Sequence, residues 1–283
     1  MVPGEMMDMV ALVLVCLLPG QVPTLENKDF TKEIQQAAVV ATVRIVNTTE
    51  GTDGSGVLLQ QEEPFAYFLT ADHVVGKAKQ LDVVVFSPAS YPRQEKVYKR
   101  AEVLARDARA DLALIRIVTR DVLPQGFHLC PTNKAPDSKG APALAVGCEP
   151  GGAPLPMIDV ITATRVVSKP GEQGKAKCWE TAKGPIAGRS GGPLIDTQGR
   201  LLGVASGTSG GKGYYIHLDE IRNFLKRNAL GWLAEEPPPV PGQRDGAVYR
   251  PVQRGCPFGA PIALNLVAAC ALGAGGSAPL TRN

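Results

Sequence analysis

Between residues 39 and 217 the apolar positions come as short β-branched runs broken by Gly, Pro, Asn and Asp. Residues 39–46 (VVATVRIV) read as a strand. Residues 55–59 and 65–70 read as a second and a third, and 81–86, 97–105 and 112–117 continue the series. Residues 123–140 are turn-rich and read as a crossing between two halves. After it, 143–146, 157–168 and 178–181 form another set of strand-like runs. Residues 194–196 and 201–206 flank a turn at 197–199, a hairpin signal, and 207–213 reads as a flexible loop before a short strand at 214–217. Only two stretches have helical character. One is 26–38; the other is 218–227, with apolar residues at helical spacing and basic residues at its C-terminal end. Many short strands followed by one helix predict an all-β body.

The two ends differ from this body. Residues 9–18 are apolar, about half of the roughly 20 residues a membrane span requires. Their length and position fit the apolar centre of a secretory signal, although no Lys or Arg precedes them and no clean small-x-small cleavage pattern follows. The expectation is export to the periplasm, the cell envelope or the medium; the bland alternative is a mis-assigned start or a disordered apolar tail on a cytoplasmic chain. Residues 235–242 (EEPPPVPG) form a stiff, extended linker. The apolar run at 262–274 is also short for a span and reads as a weakly ordered tail. The expected organisation is a leader at 1–24, one domain at 25–233, and a Pro-rich linker and tail at 234–283.

Composition narrows the function. The chain has 283 residues, 44% of them hydrophobic and 20% charged, with a net charge of +3. The modest charge, with aromatics at only 5%, gives no basis for a nucleic-acid partner. Six cysteines contain no C-x-x-C pair, so no zinc ribbon is expected. For Cys130, Cys148 and Cys178, one bridge and three buried thiols stand as equal alternatives.

The chemistry concentrates at Gly188-Arg189-Ser190-Gly191-Gly192-Pro193. Small neighbours let a carbonyl approach the serine hydroxyl and leave backbone N–H groups to hold an oxyanion. An ordinary Gly/Pro turn is the bland alternative. A nucleophilic serine needs a base, and the chain has only His73, His128 and His217. His73 is the best placed, following an apolar run and opening a turn. His128 and His217 read as structural or exposed, and Trp179 and Trp232 as packing residues. The base in turn needs an acid. Asp111 stands at a strand start, with Asp72 and Asp107 as rivals. The side chain of Asp72 is expected to point away from that of its neighbour His73, and Asp107 to be solvated in a charged turn.

These residues resemble the trypsin-like serine proteases. Leu69-Thr70-Ala71-Asp72-His73, Asp111-Leu112-Ala113-Leu114 and the Ser190 segment each look like that family's motif for one catalytic residue, in the family's order. The HtrA/DegP-like branch looks nearest, through Gly54-Ser55-Gly56-Val57-Leu58 and Tyr214-Tyr215-Ile216-His217-Leu218, over residues 39–227. The resemblance implies two packed six-stranded β-barrels, at about 38–120 and 138–217, with a C-terminal helix at 218–230. His73 and Asp111 would come from the first barrel and Ser190 from the second. The Gly188 and Ser190 amides would form the oxyanion hole, and glycine at 188 is free to adopt the backbone angles this needs.

Three departures stand out. Val74 replaces a cysteine that many secreted members carry. Arg189 replaces the aspartate that digestive members use to bind a new N-terminus; it is expected either to disturb the oxyanion loop or to find an acid such as Glu180 or Asp196. The stretch after Trp232 looks too short and proline-rich for a PDZ domain. At the pocket base, six residues before the serine, stands Gly184, which implies a neutral S1 pocket, with Ala205, Ser206 and Gly207 as one wall pairing with substrate backbone. The expected activity is that of a serine endopeptidase acting on extended peptide through an acyl-enzyme, without metal or organic cofactor. A latent or inactive protease-like peptide-binding module is the main alternative, and an esterase a third.

Overall fold

The computed structural model describes residues 21–136, 139–168 and 174–235. The apolar leader at 9–18, the Pro-rich linker and the tail lie outside them. The described strands form two closed antiparallel barrels of six strands each. The first contains β1 (Thr42–Asn47), β2 (Thr52–Glu62), β3 (Phe65–Thr70), β4 (Gln80–Val85), β5 (Lys96–Asp107) and β6 (Leu112–Val118), ordered β1-β2-β3-β6-β5-β4. The second contains β7 (Ala141–Cys148), β8 (Pro154–Val167), β9 (Ala176–Thr181), β10 (Pro193–Ile195), β11 (Leu201–Ser209) and β12 (Lys212–His217), ordered β10-β11-β12-β9-β8-β7. Closure leaves no unpaired sheet edge, which explains how such short strands hold together.

Each barrel fills its own interior. Val43, Ile45, Leu58, Phe68 and Ile115 pack inside the first, and Ile161, Trp179, Leu194, Leu202 and Tyr215 inside the second. A third cluster forms the seam between them. It joins Leu69, Leu112 and Leu114 to Leu144, Val146 and Val204, and α3 (Leu218–Arg227) adds Ile221, Phe224 and Leu225. Burying each such side chain contributes roughly 1.5–3 kcal/mol, so this seam holds the two barrels together.

Two elements depart from the sequence pattern. The apolar run at 39–46 splits: Val39 and Val40 end α1 (Lys32–Val40), and only Thr42 onward is strand. The Thr31 hydroxyl caps the Ile34 N–H, and Gln35, Ala38, Val39 and Val40 bury one helix face. Tertiary burial thus overrides β-propensity here. The loop expected at 207–213 is largely strand: β11 and β12 run on to Ser209 and from Lys212, turning at Gly210-Gly211, both with positive φ. By contrast, β3 and α3 coincide with their sequence patterns.

The three described cysteines, Cys130, Cys148 and Cys178, are buried thiols. Burial pushes the Cys148 thiol up to about 12 and that of Cys130 to about 11. Trp179 packs inside barrel two with its indole N–H on Leu202 O at 2.9 Å, and Trp232 meets Tyr67 edge-on. His217 is buried at the N-terminus of α3, where its Nδ1 accepts the Asp219 N–H at 3.1 Å. Among the described residues, no helix is long and apolar enough to cross a membrane.

Candidate active site

Barrel one presents two of the three expected side chains. After β3 the chain makes a single helical turn, α2 (Asp72–Val75). Successive residues on it point apart. The Asp72 carboxylate forks onto Arg106 of β5, at 2.6 Å to Nε and 3.0 Å to Nη2, and that partnership holds the guanidinium pKa above its usual value. His73 points the other way. Its Nδ1 lies 3.0 Å from both carboxylate oxygens of Asp111, and its backbone N–H donates to Asp111 Oδ1 at 3.1 Å. The same carboxylate thus fixes both the ring and the chain that carries it. With Nδ1 facing a carboxylate, Nδ1 carries the proton and Nε2 keeps the lone pair, the tautomer a general base requires.

Asp111 is held firmly. Its side chain is 2% exposed, and its φ of 55° is left-handed, uncommon for a residue with a Cβ. The turn before it imposes that conformation. The Asp107 carboxylate accepts the Ala110 N–H at 3.0 Å and pairs with Arg109 and Arg227. Asp107 is therefore a turn cap with its side chain 12% exposed, not the solvated residue its charged surroundings suggest.

Asp111 also accepts a hydrogen bond from the Ser206 hydroxyl of barrel two. Ser206 sits in the β11 bulge where the register with β12 shifts between Ala205 and Gly207. A bulge leaves the extra residue outside the ladder and re-aims its side chain. The sequence reading placed Ser206 only in the pocket wall. The bulge, which no local pattern announces, is what brings its hydroxyl to the acid.

Barrel two supplies the loop carrying Ser190, which is half-buried between β9 and β10. Its conformation requires glycine at two points. Gly188 has φ 82°, and a Cβ there would lie 2.7 Å from Cys148 O; Gly191 has φ 85°, and a Cβ would lie 2.1 Å from Ser55 O. Ser55 of barrel one ties the loop down. Its N–H donates to Ser190 O at 2.7 Å, and its hydroxyl donates to Gly188 O at 2.8 Å while accepting the Cys148 N–H at 2.8 Å. Thr70 in turn holds Ser55 O at 2.7 Å. In the sequence Ser55 stands out only as part of a strand and of the stretch 54–58 that resembles the HtrA-like branch; its ties to the Ser190 loop come from the fold. The Gly191 N–H donates to Ala205 O. Among the described residues, the Gly188 and Ser190 amides donate to no protein acceptor, which leaves both N–H groups for a ligand oxygen.

Arg189 finds neither acid expected of it. Glu180 pairs with Arg165 and Lys212, and Asp196 with Arg200. The Arg189 side chain is 8% exposed; it donates from Nη1 to Leu155 O at 3.1 Å, with Glu149 4.0 Å away. It thus runs under the β7–β8 hairpin. Gly184 packs against Thr208, where a Cβ on the glycine would lie 2.5 Å from Thr208 Cγ2. Among the described residues, no cluster of His, Cys, Asp and Glu is placed to hold a metal ion.

With this geometry in hand, comparison with known proteins is informative. The chain is 26% identical over 168 residues to the serine protease Do-like HtrA of Bacillus subtilis, covering 56% of this chain and 34% of that protein. It is 28% identical over 171 residues to a probable periplasmic serine endoprotease DegP-like of Chlamydia pneumoniae, covering 59% of this chain and 31% of that protein. The chain thus spans about a third of the length of these relatives. Among solved structures, the active form of the Rv3671c protease from M. tuberculosis superposes with a TM-score of 0.58 at 20% identity, over 73% of this chain and 92% of that one, a likeness of fold. Residues 54–204, more than half of the chain, match the trypsin-like peptidase domain, and the chain belongs to that family.

Proposed function

We propose that the chain is a serine endopeptidase that cleaves peptide bonds through an acyl-enzyme. Ser190 Oγ attacks the scissile carbonyl. His73 Nε2 takes the hydroxyl proton and passes it to the leaving amine. Asp111 fixes the His73 tautomer and stabilises the imidazolium that forms. The tetrahedral oxyanion is held by the Gly188 and Ser190 N–H groups, and water then releases the acyl group by the reverse sequence. The observation that carries this reading is the contact of His73 Nδ1 with Asp111, at 3.0 Å to each oxygen, on an acid that is otherwise buried.

Substrate binds as an extended strand along Ala205, Ser206 and Gly207 at the β11 bulge. The S1 pocket is neutral. Gly184 contributes no charged side chain to it, so small or aliphatic side chains fit best. The enzyme acts after export, a reading supported by the apolar stretch at 9–18 and by the DegP-like relative described as periplasmic.

Labelling with a fluorophosphonate serine-hydrolase probe tests the mechanism. The wild-type chain should label, and Ser190→Ala and His73→Ala should not. A folded wild type that fails to label overturns the reading and favours a protease-like module that binds peptides without cutting them.

A further inference from the structure

Between β1, the segment 86–95 and the turn at 149–152 lies a cavity of about 450 Å³, lined by Arg44, Phe86, Arg93, Gln94, Gly151 and Gly152. That is room for a small ligand. Three observations give it a chemistry. First, its lining carries two guanidinium groups and a primary amide but no carboxylate. Second, the Arg44 Nε–H is fully buried and has no hydrogen-bond partner. Asp53, the nearby acid, lies 3.9 Å from it, and Asp53 Oδ2 already accepts the Gly151 N–H at 2.9 Å. The Arg44 Nη1 contact to Gly152 O is long, at 3.3 Å. Arg44 thus has one long ion pair and one long hydrogen bond, so its charge is incompletely compensated and an anion in the cavity is favoured. Third, a planar guanidinium presents its donors as a fork suited to a carboxylate or a phosphate.

We propose that this cavity is an anion-binding site for a carboxylate or phosphate group, separate from the nucleophile. It has a mechanical link to the proposed oxyanion hole. Gly151 and Gly152 belong to the turn that follows Cys148, and Cys148 O and Pro150 lie so near Gly188 that a Cβ there would meet them at 2.7 and 3.0 Å. An anion gripping Arg44, Arg93 and Gln94 braces that turn, and through it the backbone whose N–H faces the reacting carbonyl. This link rests on the proposed protease mechanism; the binding itself does not.

The test is titration of the full chain with inorganic phosphate and, in parallel, succinate. Ionic strength is held constant with chloride, and binding is read as a saturable rise in the unfolding temperature. The site predicts a Kd of about 1 mM or tighter for at least one of the two. Arg44→Met should abolish binding. Because Arg44 is largely buried and also supports the fold, the exposed Arg93→Met carries the test, and it should weaken binding about tenfold. Preference for phosphate points to a phosphoryl ligand, and preference for succinate to an acidic peptide. No saturation by either up to about 20 mM, or equal binding by Arg93→Met, overturns the site. The rate of probe labelling at Ser190, followed with and without saturating anion, tests the link separately. An unchanged rate removes the link, while failure of wild type to label at all bears on the mechanism and leaves the thermal readout valid.

Discussion

The two barrels hold their halves of the site in different ways. Barrel one uses side-chain charge: Asp72 forks onto Arg106, Asp111 grips His73, and Asp107 caps the turn between them. Barrel two uses backbone. The loop carrying Ser190 is shaped by Gly188 and Gly191 and tied through its carbonyls and amides to Ser55 and Ala205. The division follows the chemistry proposed for each half. A base must be oriented and its developing charge compensated, which calls for a carboxylate. An oxyanion must meet fixed N–H dipoles that need no reorganisation, which calls for a rigid main chain. The two systems meet where Ser206 of barrel two donates to Asp111 and Ser55 of barrel one receives the Ser190 loop. Neither half is complete without the other.

Asp111→Asn breaks the charge-based half most directly and should have the largest effect. The amide preserves shape, but its NH₂ faces Nδ1 and favours the tautomer with the proton on Nε2. A fall in kcat on the order of 10⁴ is expected at neutral pH, with the fold intact by circular dichroism. A fall below tenfold would mean that Asp111 does not orient the base.

Acid should destabilise barrel two through His217. His217 is buried beneath Trp179, with ring centroids 4.2 Å apart. Burial, followed by the nearby Lys177 charge, pushes its imidazole down to about 4 from the usual 6.5. A base with a depressed folded-state pKa takes up its proton more readily in the unfolded chain. Its contribution is therefore complete above about 6.5 and is lost as pH falls toward 4. The loss is about 3 kcal/mol over that window. His217→Asn keeps a side chain able to cap α3 and should flatten urea-unfolding stability between pH 6.5 and 4 relative to wild type.

How much of this was written locally depended on the length scale of the contact. The strand runs, α3 and the triad candidates are short-range signals, because period-2 patterning and Gly/Pro punctuation act within a few residues. The three catalytic candidates are far apart in sequence; the need of a serine for a base and of a base for an acid suggests the set, and the family resemblance fixes their order. What escaped depends on partners distant in the chain. Val39 and Val40 are helical because of the surface they bury. Asp107 looked solvated because Arg227, its partner, comes 120 residues later. Ser206 reaches Asp111 across 95 residues through a bulge whose register shift has no composition signature. Arg189 is expected either to disturb the oxyanion loop or to find an acid such as Glu180 or Asp196; instead its firm acceptor is a main-chain carbonyl, Leu155 O, with Glu149 4.0 Å away, which no charge count could indicate.

The smallest effects test the comparison most finely, because they set one arginine against another. Arg106→Met removes the partner of a carboxylate that is 7% exposed. An unpaired buried charge is costly, but the Arg106 head is 40% exposed and solvent screens part of the pair. A loss of about 1 kcal/mol is expected, with kcat falling more than KM changes because α2 also carries His73. Arg189→Met removes a guanidinium that is more deeply buried yet poorly satisfied: its Nε–H has no partner and its nearest acid is 4.0 Å away. Replacing a buried, incompletely paired charge with an apolar chain of similar length is close to neutral, so stability should move by less than about 0.5 kcal/mol. If the order is reversed, with Arg189→Met the more damaging, then the nucleophile loop is held by its cation and not by its backbone, and the proposed division between the barrels fails.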